Sequence, residues 1–245
     1  MHGNDSYAQL KNFNREYATK GAYHLQAKGF KQWWLRDNYE LIVSLVAGGD
    51  TILDVGCGEG ALAGYLTTAN FLYGLDISEE ALNAMPDQYR LKYSKVCIGN
   101  MLCLDQFFSS DDKIDTVICS LALMYLLPTD VEIFLKKVNQ LLMIGGKFIF
   151  SYPNVYPRVR ACNPEAAELT WKELKKMLLK AGFNVQLRQG ISGFIPNDLV
   201  KQSEVEEDNR IFNLYIIERG KVKHAPDYSY HYGVLCQKKT GGKRK

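Results

Sequence analysis

Two hydrophobic periods alternate along most of the chain. Thr51–Val55 (TILDV), FLYGL at 71–75, KIDTVIC at 113–119 and KFIFSY at 147–152 are short runs rich in β-branched and aromatic residues. Apart from Asp54 and Asp115 they are apolar on both faces of a strand or nearly so, the pattern of strands covered by helices on each side. Residues 93–98, 183–188 and 232–237 read as three more strands, the last two being the sixth and seventh in chain order. Between these runs the spacing becomes helical. In 31–47 the residues Trp34, Leu35, Ile42, Leu45 and Val46 recur at helical intervals until Gly48-Gly49, and 59–68 reads as a helix after the first strand. Ser78 caps a helix that Pro86 ends. Thr129 with Glu132 forms a capping box ahead of a stripe of Val131, Phe134, Leu135, Val138, Leu141 and Leu142, closed by Gly145-Gly146. Thr170 with Glu173 forms a second box ahead of Leu174, Met177, Leu178 and Ala181, closed by Gly182.

Strand and helix alternate through the first five strands, which predicts an α/β fold with a doubly wound, mostly parallel sheet. No convincing helix stands between the sixth and seventh strands, so the seventh is expected to insert antiparallel beside the sixth. A chain of 245 residues fits one large domain. The expected parts are an N-terminal helical segment (1–47) able to act as a lid, a ligand-binding core (48–190), an insertion (191–231) and a basic tail (238–245).

Composition narrows little. A net charge of +3 does not demand an anionic partner, and the short basic end is weak support for nucleic acid. Cys57, Cys97, Cys103, Cys119, Cys162 and Cys236 include no C-x-x-C pair and read as reduced thiols, which with the lack of any long apolar run places the chain in the cytoplasm, off the membrane. No metal site is expected.

The chemistry concentrates where the first strand breaks into glycines, TILDVGCGEG at 51–60. Gly56 and Gly58 let backbone approach a ligand, and a helix starting near Glu59 is expected to aim its amides at it. Asp76, ending the second strand, is placed to accept from two ribose hydroxyls. Gly56-x-Gly58-x-x-Ala61 with this acid also satisfies the degenerate dinucleotide fingerprint, so a nicotinamide enzyme fits thus far. Asp54 separates the two readings. Two residues before the first glycine, it would repel a pyrophosphate, whereas the ammonium and sulfonium of S-adenosylmethionine suit its charge.

Here the sequence resembles the class I S-adenosylmethionine-dependent methyltransferases, whose first motif, D-x-G-x-G-x-G, matches Asp54, Gly56, Gly58 and Gly60, with Cys57 inside it. Their second motif is matched by GLDIS at 74–78, including Asp76 and Ile77. The resemblance implies a seven-stranded sheet with an antiparallel last strand and S-adenosylmethionine as cofactor. It also implies that Asn100 and Met101, after the third strand, meet the adenine, although the family commonly has an acid where Asn100 stands. After the fourth strand, Ser120, Leu121, Met124 and Tyr125 fall where the family lines the sulfonium and the acceptor.

Methyl transfer from a sulfonium needs alignment and exclusion of water, and a base only if the nucleophile carries a proton of high pKa. Tyr17 and Tyr23, with Trp33 or Trp34, are candidates for an aromatic lid over the cofactor. Tyr125, His24 and Tyr152 are the candidates for contact with the acceptor or proton relay, although His24 and His231 also read as surface residues. Cys119-Ser120-Leu121-Ala122 replaces the Asp/Asn-Pro-Pro-Tyr motif used on base and glutamine amines, and no basic stripe interleaved with aromatics is present. The acceptor is therefore expected to be a small molecule methylated on oxygen or nitrogen. A non-catalytic methyltransferase-like partner protein is the alternative, motivated by Asn100 and the lack of an evident base.

Overall fold

The computed structural model describes residues 24–67, 71–154, 169–193, 195–205, 208–229 and 231–240, together with Asn14 and Thr19. Tyr17, Tyr23, Cys162 and the basic tail from 241 lie outside the described residues.

The strands are β1 (Thr51–Val55), β2 (Phe71–Asp76), β3 (Lys95–Ile98), β4 (Ile114–Cys119), β5 (Leu142–Pro153), β6 (Phe183–Ser192) and β7 (His231–Lys238). They form one sheet in the order β3-β2-β1-β4-β5-β7-β6. All neighbours are parallel except β7, which runs antiparallel to both β5 and β6. The sheet grows outward from β1 through β2 to β3, then returns to place β4 on the other side of β1. That reversal opens a crevice above the carboxyl ends of β1 and β4, where open α/β sheets bind ligands.

Strand periodicity divides the core into two layers. Leu53, Val55, Val117, Phe148 and Phe150 face α4 (Pro128–Leu141) and α5 (Trp171–Lys180), meeting Phe134, Leu135, Leu174 and Leu178. Their chain neighbours Ile52, Ile118 and Ile149 face the opposite way, toward Ile42 of α1 (Gly29–Ser44) and Leu62. Every side chain named in these two layers is almost fully buried, each stabilising the fold by about 1.5–3 kcal/mol. Two short helices, α2 (Glu79–Asn83) and α3 (Asp87–Arg90), connect β2 to β3. Ser78 caps α2 as expected, accepting from the Ala81 amide.

Three local expectations are corrected. Residues 59–68 do not form an α-helix; a single 3-10 turn, Ala61–Gly64, stands there. Gly58 (φ 49°) and Gly60 (φ 76°) are both left-handed, which turns the backbone out of the right-handed path where a helix would start. The Thr129 box is absent because Pro128 takes the first helical position behind Leu127, so Thr129 already lies inside the first turn. Glu132 instead pairs with Lys180 at 2.8 Å, and α4 passes directly into β5 well before Gly145-Gly146. The Thr170–Glu173 box does form and starts α5.

Between β6 and β7 stand two helices, α6 (Asn197–Val205) and α7 (Asn209–Val222), with Asp208 capping α7. Ile211, Tyr215 and Val222 are the buried face of α7, but exposed Ile216 and Ile217 beside them blur the helical stripe. Among the described residues no helix is long and apolar enough to cross a membrane.

Candidate functional site

The loop after β1 is held by its own backbone and by one acid. Gly56 and Cys57 donate their amides to the Leu75 carbonyl at 2.7 and 3.2 Å. The next amide, Gly58, reaches Asp76 Oδ2 at 2.8 Å, and the Ser78 amide reaches Oδ1 at 2.8 Å. Asp76 thereby ties the glycine loop to the end of β2. Burial raises its pKa, opposed by the amides of Ser78, Gly58 and Ile77.

Gly56 (φ 78°) is required twice over: a Cβ there would stand 2.4 Å from the Ala122 Cβ, in the loop after β4. The glycine loop and the β4 loop therefore touch across the crevice. Cys57 turns its thiol inward beneath Gly74, and burial pushes its pKa well up, so it contributes backbone rather than chemistry.

Asp54 lies below the loop, 1% exposed, and accepts a hydrogen bond from the Tyr93 hydroxyl at 2.8 Å. Burial pushes its pKa up to about 7; the Tyr93 hydrogen bond works against this and the Asp76 charge adds to it. Such a carboxyl gains from a cationic group placed above it.

The remaining positions line the same edge. Asn100 follows β3, its side-chain oxygen accepting from the Leu102 amide at 2.8 Å, and Met101 packs on the core. Ile77 is exposed beside Asp76. Ser120 follows β4 and its hydroxyl accepts from Asn38 Nδ2 of α1 at 2.9 Å. Leu121 is left-handed (φ 57°), its amide held by Ser151 Oγ at 3.0 Å. In the 3-10 turn that follows, Leu123–Tyr125, Met124 is buried in the core rather than open to the crevice, and Tyr125 packs against that core. Asp54, Gly56, Cys57, Gly58, Gly60, Asp76, Ile77, Asn100, Met101, Ser120 and Leu121 thus share the carboxyl end of β3-β2-β1-β4.

The residues read as catalytic are placed differently. Tyr125 sits partly buried beside the β4 loop. Tyr152 is fully buried in the core, its hydroxyl accepting from the Leu169 amide at 3.4 Å. His24 lies 3.8 Å from Glu59, with its pKa lowered to about 3 by burial and by Lys31, so the pair is not ionic. His231 is not a surface residue: its ring packs on Trp34 at a tilt of 43° with centroids 4.6 Å apart, and burial lowers its pKa to about 3.

Several site residues escaped the sequence reading. Glu59 is 2% exposed, accepts from the Leu25 amide at 2.7 Å and has its pKa pushed to about 7 by burial, pinning the N-terminal segment to the glycine loop. The Ser78 hydroxyl donates to Asn14 at 2.8 Å, a second tie from that segment. Asn38 carried a signal, a polar residue one turn after Trp34 on the inner side of α1; Tyr93 carried none, because its partner is 39 residues away.

A family model described as a methyltransferase domain matches residues 47–212. Among solved structures, the N-methyltransferase NodS from Bradyrhizobium japonicum, in complex with S-adenosylhomocysteine, superposes with a TM-score of 0.65 at 16% identity, covering 97% of this chain and 100% of that one. Magnesium protoporphyrin IX methyltransferase from Synechocystis, with S-adenosylhomocysteine bound, gives 0.62 at 15% identity, covering 96% and 100%. A putative methyltransferase from Haloferax volcanii, in complex with the Trm112 activator, gives 0.61 at 18%, covering 87% and 97%.

Proposed function

Because the chain belongs to the methyltransferase-domain family, we propose that it transfers the methyl group of S-adenosylmethionine to an oxygen or nitrogen of a small molecule. The observation that carries the reading is Asp76, an acid that ends the second strand and is bound to the glycine loop through the Gly58 amide, where a ribose diol would meet both.

The residues fit the cofactor. Gly56 leaves no room for a side chain where the two loops meet, Asp54 offers a buried carboxyl to the amino-acid end, and Asn100, Met101 and Ile77 flank the base. The cofactor supplies an electrophilic methyl on a leaving group that departs neutral. The protein's own work is therefore to align and to exclude water. Glu59 and Ser78 tie Leu25 and Asn14 of the N-terminal segment to the loop, which supports that segment's role in excluding water. Tyr125 faces the acceptor. Of the proton-relay candidates, His24 is held neutral beside Glu59 and Tyr152 is turned into the core, which leaves Tyr125 as the strongest.

Titration calorimetry tests the reading. S-adenosylhomocysteine is expected to bind, and Asp76→Ala to weaken it about 10- to 100-fold through the loss of hydrogen bonds to a charged acceptor. Unchanged affinity in that variant would sink the site. No heat with either S-adenosylmethionine or S-adenosylhomocysteine would mark a non-catalytic relative, and quenching of NADH fluorescence would mark a dinucleotide enzyme.

A further inference from the structure

A second cluster stands at the other end of the row of strands. Arg188 of β6, an edge strand, turns inward and is only 9% exposed. Its guanidinium carbon lies over two rings, 4.7 Å from the centroid of Trp171 and 4.2 Å from that of Tyr232. The rings stand at 79° to one another, so they hold the group from two directions and remove much of its rotamer freedom.

One corner of the guanidinium is neutralised. Nη1 pairs at 2.5 Å with Asp227, an exposed carboxylate on the 3-10 turn Pro226–Tyr228. Asn154 fixes that turn through its amide, donating to the carbonyls of Pro226 and Asp227 at 3.2 and 2.7 Å. The other corner is different. Among the described residues Nε and Nη2 are buried and make no hydrogen bond, and neither does the buried hydroxyl of Tyr232, whose ring the guanidinium covers.

The identity of the two unmade nitrogens decides what they suit. In a guanidinium the Nε–H and one Nη2–H point the same way and form the two-donor edge that meets both oxygens of a carboxylate or phosphate in parallel bonds. Asp227 takes the single corner and leaves this edge. Leaving charged donors unmade in the interior is costly, and a group that fills them there forms stronger bonds than it would in water.

We propose that the Nε–Nη2 edge of Arg188, with the Tyr232 hydroxyl, binds a small oxyanion, and that this carboxylate or phosphate group belongs to the methyl acceptor. Position supports the second half. Tyr232 is register-paired with Tyr152 at the carboxyl end of β5, and β5 adjoins β4. At ~4.8 Å per strand, Tyr232 on β7 lies two strands, ~10 Å, and the β6 backbone that carries Arg188 three strands, ~14 Å, from β4, which suits an acceptor whose anionic group lies several bonds from the methylated atom. This half rests on the methyl-transfer reading above; the oxyanion site does not.

The test titrates the full chain with inorganic phosphate and, separately, acetate, at ionic strength held constant with chloride. Tryptophan fluorescence, to which Trp171 reports from its contact with the guanidinium, and the thermal midpoint are followed. Wild type is expected to respond saturably to one of the two, phosphate identifying a phosphorylated acceptor and acetate a carboxylated one. Arg188→Lys, which keeps the charge and loses the two-donor edge, is expected to weaken that response at least ~10-fold, and Tyr232→Phe ~3-fold. If Arg188→Gln fails to fold, Arg188→Lys still carries the comparison. No saturable response in wild type, or an equal one in Arg188→Lys (an adventitious ion only), overturns the proposal. S-adenosylhomocysteine binding, measured alongside, is expected to stay within ~2-fold in these variants. Its absence in wild type with an Arg188-dependent oxyanion response would remove the link to methyl transfer and leave the anion site standing.

Discussion

The two ends of the row of strand termini are built from different material. Above β1, β2 and β4 the work is done by backbone: glycines in left-handed conformations and an acid that binds amides 18 and 2 residues away. Above β5, β7 and β6 it is done by side chains drawn from distant parts of the chain, with Trp34 against His231 and Arg188 between Trp171, Tyr232 and Asp227. A backbone-built site has few acceptable sequences, because a single Cβ can close it. A side-chain-built site can change its chemistry while the sheet beneath stays the same. The first suits a ligand that is always the same, the second a ligand that defines this particular protein.

The contrast breaks most sharply at Gly56. Gly56→Val forces a side chain to within 2.4 Å of Ala122 at a positive φ, and is expected to abolish S-adenosylhomocysteine binding in calorimetry, by more than ~100-fold, with about 2–4 kcal/mol lost in a denaturant melt. Adding Ala122→Gly should recover part of the stability; retained binding in the single variant would show the loop to be more forgiving than a backbone-built site allows.

A proton sharpens the cofactor end next. Burial raises the Asp54 carboxyl to about 7, so below that pH the free protein carries it neutral and a cationic ligand must displace the proton. Affinity is expected to fall by up to ~10-fold per pH unit below about 7 and to level off above it. Asp54→Asn should bind more weakly and without this slope. Folding stability responds with the opposite sign. A carboxyl raised above its unfolded value of 3.8 favours the folded state below that value, and this advantage is lost as pH rises toward about 7.

Within the first end, on its β4 side, Asn38→Leu removes the amide that positions Ser120 without touching the glycine loop. Turnover is expected to drop about 10-fold while the affinity for S-adenosylhomocysteine falls less, by no more than about 3-fold; equal losses in both would show that Ser120 serves the cofactor alone. The smallest effect lies outside both. Thr170→Ala removes the cap of α5 and should cost about 1 kcal/mol in a melt, with ligand binding unchanged.

How much of this was legible follows the same division. The strands, the parallel sheet and the glycine loop with Asp76 lie in stretches where neighbours in sequence are neighbours in space. The antiparallel last strand was expected as well, but the missing helix between the sixth and seventh strands was a misreading: α6 and α7 stand there, hidden because exposed Ile216 and Ile217 blur the stripe of α7. The helix expected over 59–68 failed because tertiary contact, the Glu59 carboxylate bound by the Leu25 amide and the loop held against the β4 loop, overrode local spacing. His231 read as a surface residue because its ring partner, Trp34, stands at the far end of the chain. Arg188, Trp171 and Tyr232 carry no common motif; only the fold assembles them.

The position of β7 also governs how the molecule is made. It is the last strand in the chain, yet it lies between β5 and β6, pairing Phe148 with Cys236 on one side and Phe183 with Lys238 on the other. Until residues 231–238 leave the ribosome, β5 and β6 each present an open edge, and the long-range pairing that closes them comes late. A nascent chain halted before that point would expose two adhesive sheet margins, so the window for aggregation, and for chaperone capture, ends only as the final strand slides into place.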